Sequence, residues 1–284
     1  MKVAIVGAGD MGRWLASFSK NLGQVTVSDI DAKKAQKVAA ELGIISMAEN
    51  EAVKEADLVL VAVPISKTPE VIKSLSKIAK KGSLLADVAS VKAEVVDAMR
   101  TVKAEIELVS LHPLFGPGAK NIKGKDVIAV PVRPGKRYIE LKKILARSGA
   151  LVAEMDADTH DRLMAIVQCL TQFMLIAYLR AVKSVKDMKM ATKLRTPMFA
   201  TLTNLAKAIL EGNPKVYGEL QVRNKYAKIV RSSMTEACSS LDKAFSGGDA
   251  KAAEKVFEEA LVQFGKGEAK KAYLKLYEQF EGEM

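Results

Sequence analysis

The pattern of hydrophobic and polar positions divides this chain into two parts with different periods. In the first part, short runs rich in Val, Ile and Leu alternate with amphipathic stretches. The apolar runs lie at 3–6, 25–28, 58–63, 84–87, 107–110, 127–130 and 151–153. Helical periods occupy 11–22, 32–42, 67–79, 93–100 and 136–147. Continuous apolar strands that alternate with helices predict a doubly wound, mainly parallel sheet with helices on both faces.

The second part has no strand pattern. Apolar residues recur at helical spacing over 163–181, with Asp158 or Thr159 as the expected N-cap. Helical patterns also cover 197–211, 214–241 and 250–281. We therefore predict an α/β protein of two domains. A Rossmann-type α/β domain occupies 1–155, and an all-α domain occupies 156–284.

A glycine-rich turn follows the first predicted strand. Gly7, Gly9 and Gly12 have the G-x-G-x-x-G spacing and stand directly before an amphipathic helix. In such a turn the first glycine bends the chain, the second lets the backbone approach a pyrophosphate, and the third allows the helix to pack on the strand. Asp10 and Met11 lie at the start of that helix, where unpaired N–H groups favour phosphate. We predict that residues 7–12 bind a dinucleotide.

An acidic residue at the end of the second strand indicates which dinucleotide binds. Asp29 lies 29 − 12 = 17 positions after the last glycine of the turn, close to the spacing for ribose recognition. Its carboxylate would bind the ribose 2′-hydroxyl and repel a 2′-phosphate, which favours NAD over NADP. Lys33 and Lys34 could instead reach a 2′-phosphate. Pro64 follows the third long strand, where it either contacts the cofactor or only starts a helix.

Two further segments place reactive side chains after strands. Ser90 and Lys92 follow the strand at 84–87, and His112, one of two histidines in the chain, follows the strand at 107–110. Ser90 could simply cap the next helix, and His112-Pro113 could be an ordinary turn. A histidine at this edge of the sheet could also take a proton while a neighbouring cofactor takes a hydride.

Together these segments resemble the prephenate and arogenate dehydrogenases of tyrosine biosynthesis. The family has a D-x-x-S-V-K element, an H-P-hydrophobic-x-G element and an H-D pair before a long apolar helix. The matching positions are Asp87, Ser90, Val91 and Lys92, then His112, Pro113, Leu114 and Gly116, then His160 and Asp161. With the glycine turn, the resemblance covers residues 1–178.

The resemblance implies an NAD-dependent oxidative decarboxylation of prephenate. His112 would take the proton of the substrate hydroxyl while the cofactor takes hydride, and Ser90 would hold that hydroxyl in place. Lys92 is a candidate substrate contact. His160 has no catalytic role in this interpretation and is expected to be structural. The family also implies a homodimer formed through the helical domain.

The chain departs from the family where the substrate is held. Many relatives carry two histidines three apart after H-D, and Cys169 and Gln172 replace them here. Asp161, Ala165, Gln168 and Gln172 would share one face of an α-helix, so Gln168 and Gln172 are candidate substrate contacts. Cations for the substrate carboxylates are expected in the helical domain, with Arg195, Lys193 and Arg223 as candidates.

Composition narrows the possible partners. The formal net charge is +11, but only 5% of residues are aromatic and the lysines occur in scattered pairs. We therefore expect a small anionic substrate and no nucleic acid. The longest unbroken apolar runs are too short for a bilayer, so no membrane is expected. The two cysteines lack metal-ligand spacing and are predicted to be buried free thiols, which suits a cytoplasmic location without a metal site.

Other functions remain open at this point. Arogenate dehydrogenase differs only in accepting an amino group where prephenate has a keto oxygen. A β-hydroxy-acid dehydrogenase would place a lysine base on a helix of the second domain and leave His112 unexplained. A regulatory NAD-binding module would bind the cofactor without turnover.

Overall fold

The strands of the first half assemble into one eight-stranded sheet. The structure is a computed structural model that describes residues 1–191, 193–194 and 196–282, with the backbone alone at Lys189. In chain order the strands are β1 (Lys2–Val6), β2 (Gln24–Ser28), β3 (Ile45–Ser46), β4 (Leu58–Val61), β5 (Leu84–Asp87), β6 (Glu107–Pro113), β7 (Asp126–Arg133) and β8 (Leu151–Glu154). Their order across the sheet is β3-β2-β1-β4-β5-β6-β7-β8. Every pairing is parallel except the antiparallel pair β6–β7.

Helices connect these strands. They are α1 (Asp10–Ser19), α2 (Ala32–Leu42), α3 (Glu49–Glu55), α4 (Thr68–Leu75), α5 (Ala93–Arg100), α6 (Lys136–Arg147) and α7 (Ala157–Met164). The predicted fold class is confirmed. The sequence pattern missed β3 and α3, because β3 has two exposed residues and α3 only seven, with two of them buried.

Alternation along the strands produces two hydrophobic cores, one on each face of the sheet. On β1, Val3 and Ile5 belong to one core, while Ala4 and Val6 belong to the other. Successive side chains of a strand point to opposite faces, so a parallel strand that is covered on both sides is apolar throughout. This burial explains why the strands appeared as unbroken apolar runs.

The helical half contains α8 (Thr171–Lys183), α9 (Met188–Ala191), α10 (Pro197–Ala208), α11 (Pro214–Arg223), α12 (Ala227–Ser246), α13 (Lys251–Phe264) and α14 (Lys266–Gly282). A π-helical segment, Ala165–Leu170, joins α7 to α8. Two predicted helices were each too long. The one over 214–241 is interrupted between α11 and α12, and the one over 250–281 breaks at Gly265, whose φ of 82° ends α13.

The chain forms two compact units. One comprises Met1–Leu163 with Val222–Asn224, and the other comprises Met164–Gln221 with Lys225–Met284. We call them the sheet unit and the helical unit. The start of the long helix, the last two residues of α11 and Asn224 therefore group with the sheet, which the periodicity of the sequence could not show. The domain boundary between 155 and 156 stays a prediction.

Many apolar side chains of the helical unit are exposed. They include Ile166, Val167, Met198, Phe257, Phe264 and Val262, the last with 88% of its surface accessible. The continuous helical stretch Ala157–Lys183 has 27 residues and a mean hydropathy of 1.5, so length and composition alone would let it cross a membrane. Polar residues interrupt this stretch, so it contains no unbroken apolar run long enough to have indicated it from the sequence. Cys169 is buried and Cys238 is exposed, so the prediction of two buried thiols was wrong for Cys238.

Candidate active site

The glycine turn has the geometry that a dinucleotide requires. Gly7 has a φ of +106°, and a Cβ atom there would collide with the carbonyl group of Ala62. A Cβ atom on Gly12 would collide with the carbonyl oxygen of Gly7. At Gly9, in contrast, nothing lies within 4 Å of the position a Cβ would take. The outer glycines thus keep the turn tight, while the middle one leaves open space at the N-terminus of α1, where exposed Asp10 and half-buried Met11 begin the helix.

Asp29 lies directly beside this turn. Its Oδ2 atom accepts the N–H of Ala8 at 2.7 Å, and its Oδ1 atom accepts the N–H of Asp31 at 2.9 Å. The carboxylate is therefore fixed next to the space above Gly9, at the carboxyl end of β2. A carboxylate acceptor beside the open N-terminus of α1 fits the ribose and the pyrophosphate of NAD.

The predicted site residues share one edge of the sheet. Gly7 follows β1, Ser90 follows β5, Pro64 follows β4 by three residues, and His112 is the penultimate residue of β6. These four strands are parallel, so their carboxyl ends meet at the same edge, where open α/β sheets bind ligands. Pro64 is exposed, and its carbonyl accepts the Thr68 hydroxyl at 3.1 Å.

His112 belongs to a strand rather than to the loop that sequence predicted. It pairs with Ile128 of β7, and only 2% of its surface is exposed. The predicted strand ended at residue 110, but β6 continues to Pro113 because the antiparallel β7 supplies a partner. Pairing with β5 ends at Ser110, so the ladder with β7 is what fixes the backbone of His112 more firmly than a loop would.

The two histidines of the chain are in contact. His112 Nδ1 lies 2.8 Å from His160 Nε2, and His160 Nδ1 lies 2.8 Å from Asp161 Oδ1. His160 and Asp161 are both fully buried. No pattern in the sequence indicated that residues 48 positions apart would meet, although the H-P element of the family resemblance marked His112 and the H-D pair marked His160.

Asp161 also caps α5. Its Oδ1 atom accepts the N–H of Lys92 at 2.8 Å, and its Oδ2 atom accepts the N–H of Ala93 at 3.0 Å. A carboxylate at this position satisfies two N–H groups that have no partner within the helix. The cap therefore comes from a distant residue rather than from Ser90, which lies half-buried in the loop before α5. In the same way, Asp156 rather than Asp158 or Thr159 accepts the first N–H bond of α7.

Lys92 is fully buried beside His112. Its Nζ atom donates to the carbonyl of Leu111 at 2.5 Å and lies 3.4 Å from Asp87 Oδ1. The partners of the ammonium group thus lie within the sheet unit. The contact of Lys92 with substrate stays a prediction. Because Lys92 contacts the residue before His112 on β6, its positive charge acts on the His112 imidazole.

Burial and charge keep both imidazoles neutral. Desolvation, followed by the positive charge of Lys92, lowers the pKa of His112 well below 6.5. Desolvation also lowers the pKa of His160, against the opposing effect of Asp161. Burial lowers the pKa of Lys92 as well. A neutral His112 at pH 7 is in the form that can accept a proton.

The candidate substrate contacts in the helical unit have a different local geometry from the one predicted. Gln168 lies in the π segment and Gln172 in the first turn of α8, each partly buried. A π turn has i→i+5 hydrogen bonds and offsets the residues that follow it. The straight α-helical face predicted from Asp161 to Gln172 therefore does not form. The Oε1 atom of Gln172 is buried without a partner among the described residues.

The three basic residues that were predicted to bind the substrate carboxylates differ in their position and in their partners. Arg223 forms an ion pair with Glu94 at 2.7 Å, inside the sheet unit. Lys193 lies in the short segment after α9. Arg195 lies outside the described residues. Asn224, which sequence analysis did not single out, is 2% exposed and donates to the Asp161 carbonyl at 2.7 Å.

An aromatic contact connects the glycine turn helix with the segment after His112. Trp14 of α1 meets Phe115 edge to face, with 4.8 Å between ring centroids, and its indole N–H donates to the Ala119 carbonyl at 2.7 Å. Among the described residues, no group of three or more His, Cys, Asp or Glu side chains is placed to hold a metal ion.

Comparison with protein families identifies both halves of the chain. Residues 15–150 match the model described as prephenate dehydrogenase, nucleotide-binding domain, and residues 156–259 match that described as prephenate dehydrogenase, dimerization domain. The first match begins three positions after Gly12 (15 − 12 = 3), so the glycine turn adds to it independently.

Individual relatives agree with this match. A probable arogenate/prephenate dehydrogenase of Methanocaldococcus jannaschii is 31% identical over 96% of this chain, and the chain spans 63% of that protein. A 4-amino-4-deoxyprephenate dehydrogenase of Streptomyces pristinaespiralis is also 31% identical, over 90% of this chain and 88% of its own length. The crystal structure of prephenate dehydrogenase from Aquifex aeolicus shares the fold, with a TM-score of 0.73 at 22% identity over 93% of this chain and 99% of its own.

Proposed function

Because the chain belongs to the prephenate dehydrogenase family, we propose that it catalyses the NAD-dependent oxidative decarboxylation of prephenate to 4-hydroxyphenylpyruvate. The observation that carries the proposal is a buried, neutral imidazole at the same sheet edge as the glycine turn. A regulatory module would need the turn but not the imidazole. A β-hydroxy-acid dehydrogenase would leave His112 without a role.

The sheet unit would hold NAD through the glycine turn. Gly9 leaves room for the pyrophosphate at the N-terminus of α1, and Asp29 would accept a hydrogen bond from the ribose. When bound, NAD supplies the hydride acceptor. Pro64 and Met11 border the same edge of the sheet. A 2′-phosphate would bring a second negative charge to Asp29, so NAD is preferred over NADP.

His112 would act as the general base. It would take the proton of the ring hydroxyl, and the cofactor, when bound, would supply the acceptor for the hydride from the same ring carbon. The bond from the ring to its carboxylate then breaks, carbon dioxide leaves, and the electron pair completes the aromatic ring. The proton held by His112 returns to the phenolate oxygen. A positioned base of this kind contributes about 10²–10⁴-fold in rate.

Ser90 would bind the same hydroxyl group, since it follows β5 at the sheet edge next to β6. The substrate carries two carboxylates, and its cationic contacts would come from side chains other than Arg223, which Glu94 already neutralises. Gln168 and Gln172 could add hydrogen bonds but no charge. The formal net charge of +11 would favour the approach of such an anion.

The names of the relatives define the competing substrates. One is a probable arogenate/prephenate dehydrogenase and another a 4-amino-4-deoxyprephenate dehydrogenase. Arogenate differs from prephenate in carrying an amino group in place of the keto oxygen, far from the ring hydroxyl whose proton His112 would take. In 4-amino-4-deoxyprephenate, an amine would replace the hydroxyl that faces His112 and Ser90.

The test is a substrate panel. The purified protein is incubated with NAD or NADP and with prephenate, arogenate or 4-amino-4-deoxyprephenate, and reduced cofactor and carbon dioxide are measured. We expect the highest kcat/KM with prephenate and NAD. Faster turnover of either other substrate would reassign the substrate, and no turnover with any of the three would refute the proposed activity.

We further propose that the protein is a homodimer formed through the helical unit. The family model for this region is a dimerization domain, and apolar side chains such as Phe257, Val262 and Ile166 are exposed there. Exposed apolar surface of this extent is typical of a subunit interface. Sedimentation velocity should give a species of twice the chain mass at micromolar concentration. A monomer that binds lipid vesicles would instead favour a membrane as the partner of Ala157–Lys183. The cytoplasmic location stays a prediction.

A further inference from the structure

A carboxylate and two imidazoles form a continuous line in the sheet unit. Asp161 Oδ1 contacts His160 Nδ1, and His160 Nε2 contacts His112 Nδ1, with 2.8 Å at each step. We call Asp161, His160 and His112 the imidazole chain. Its members are at most 2% exposed, so water does not compete for these contacts.

The far end of the imidazole chain is fixed in position. Asp161 accepts the backbone N–H groups of Lys92 and Ala93, and its own carbonyl accepts the Asn224 amide. Backbone N–H groups can only donate, so both carboxylate oxygens of Asp161 act as acceptors at the N-terminus of α5. Asp161 is therefore a hydrogen-bond acceptor on its His160 side.

This acceptor determines where the protons of both imidazoles lie. His160 must carry its proton on Nδ1 to donate to Asp161, which leaves Nε2 of the neutral ring as an acceptor. Two acceptor nitrogens cannot face each other at 2.8 Å, so His112 must donate from Nδ1. The basic nitrogen of His112 is then Nε2.

We propose that His160 and Asp161 are positioning residues that hold His112 in the tautomer with its proton on Nδ1 and its lone pair on Nε2. Their part in catalysis rests on the proposed function, whereas the tautomer itself does not. The family resemblance implied only a structural role for His160. The contact with His112 gives it a second one.

The imidazole chain also affects the charged state of His112. When His112 takes a proton, its positive charge lies two hydrogen bonds from the Asp161 carboxylate. The other charged groups around it are Lys92, whose ammonium opposes the new charge, and Asp87, which neutralises Lys92. His160 thus connects the His112 imidazolium to the Asp161 carboxylate, whose other hydrogen bonds are to the N-terminus of α5.

Nitrogen NMR of the whole protein tests the tautomer directly. The chain has two histidines, so selective ¹⁵N-histidine labelling yields two imidazoles, and His112→Asn and His160→Asn assign them. At neutral pH we expect both rings to carry a proton on Nδ1 and none on Nε2. A proton on Nε2 of His112 would overturn the proposal, whether or not the protein oxidises prephenate.

Kinetics of two variants test the positioning role. His160→Ala removes the acceptor for His112 Nδ1, whereas His160→Gln can supply one through its amide oxygen. We expect His160→Ala to lower kcat on the order of 10²-fold with little change in KM, below the ~10⁴-fold loss when the orienting carboxylate of a serine-protease triad is replaced. His160→Gln should recover about 10-fold of this loss, and a Gln variant no faster than the Ala variant would contradict the role.

Ser110→Ala is the matched control. Ser110 is fully buried on β6, two residues before His112 and on the same face of the strand, but it is not part of the imidazole chain. Its substitution should leave the His112 tautomer and kcat within about 2-fold of the original protein. If all three variants lose stability and activity together, the effect is one of packing and the positioning role fails.

Discussion

The sheet unit and the helical unit differ in how they bury apolar surface. The buried residues of both hydrophobic cores lie within residues 3–150, on the two faces of the sheet. In the helical unit the described helices bury few side chains, such as Cys169, Leu175 and Leu220, and expose large ones such as Phe257. One unit has the interior of an independent domain, whereas the other exposes apolar surface of the kind that subunit interfaces bury.

The proposed cofactor-binding and proton-transfer groups also lie in only one of the two units. The glycine turn, Asp29, the imidazole chain and Lys92 all belong to the sheet unit. Groups whose charge must be controlled need a rigid and dry environment, and a sheet covered on both faces provides one. The helical unit would contribute association and substrate contacts.

The largest effect should come from the chemistry of the sheet unit. His112→Asn removes the proposed base but keeps a polar side chain of similar size, so kcat should fall by about 10²–10⁴-fold. NAD binding and the sedimentation of the dimer should not change, because neither depends on the imidazole. Near-normal turnover of this variant would show that His112 is not the general base.

Charge placed on the helical unit should have the next largest effect. Phe257→Asp puts a carboxylate on a side chain that is 70% exposed in the single chain and that we expect a partner to cover. Burial of an unpaired charge should weaken the dimer by about 2 kcal/mol or more, roughly 30-fold in its dissociation constant.

The matched control for Phe257→Asp is Ile139→Asp. Ile139 is 53% exposed on α6 of the sheet unit, where no partner is expected. Its substitution should leave the sedimentation profile unchanged. If both variants dissociate the dimer equally, or neither does, the contrast between the two units is wrong.

Acid should destabilise the sheet unit through its histidines. The folded pKa values of His112 and His160 lie below 6.5, so the unfolded chain binds more protons as the pH falls. The contribution of the two neutral histidines to the free energy of unfolding is therefore fully present above pH 6.5, and it decreases as the pH falls toward their folded pKa values. The loss approaches about 1.4 kcal/mol per pH unit for each histidine. Denaturant unfolding at pH 7.5 and 5.5 measures it, and His112→Asn should reduce the difference.

The smallest effect should be on cofactor choice. Asp29→Asn keeps an oxygen that can accept the Ala8 N–H but removes the negative charge beside the glycine turn. We expect the preference for NAD over NADP to narrow by about 10-fold, which corresponds to about 1.4 kcal/mol. Asp31→Asn, at the adjacent N-cap of α2, is the control and should leave the preference as it is. An unchanged ratio for Asp29→Asn would show that the charge does not select the cofactor.

Local patterns were sufficient for most of the sheet unit. Strand periodicity, the spacing of Gly7, Gly9 and Gly12, and the position of Asp29 depend on neighbours in the chain, so the sequence predicted the fold class and the nucleotide site. Short or exposed elements such as β3 and α3 carried too few apolar residues to be detected. The break at Gly265 was missed because one glycine inside a helical pattern is a weak signal.

The sequence by itself determined that this chain has a Rossmann-type sheet, a glycine turn with dinucleotide spacing and a histidine at the same edge of the sheet. Only the tertiary structure decided that β7 extends the strand of His112, that Asp161 caps α5, and that His160 joins the two. These contacts connect residues up to 69 positions apart. Sequence periodicity reports the environment along one element, whereas the partner of a buried polar group is chosen by the packing of distant elements.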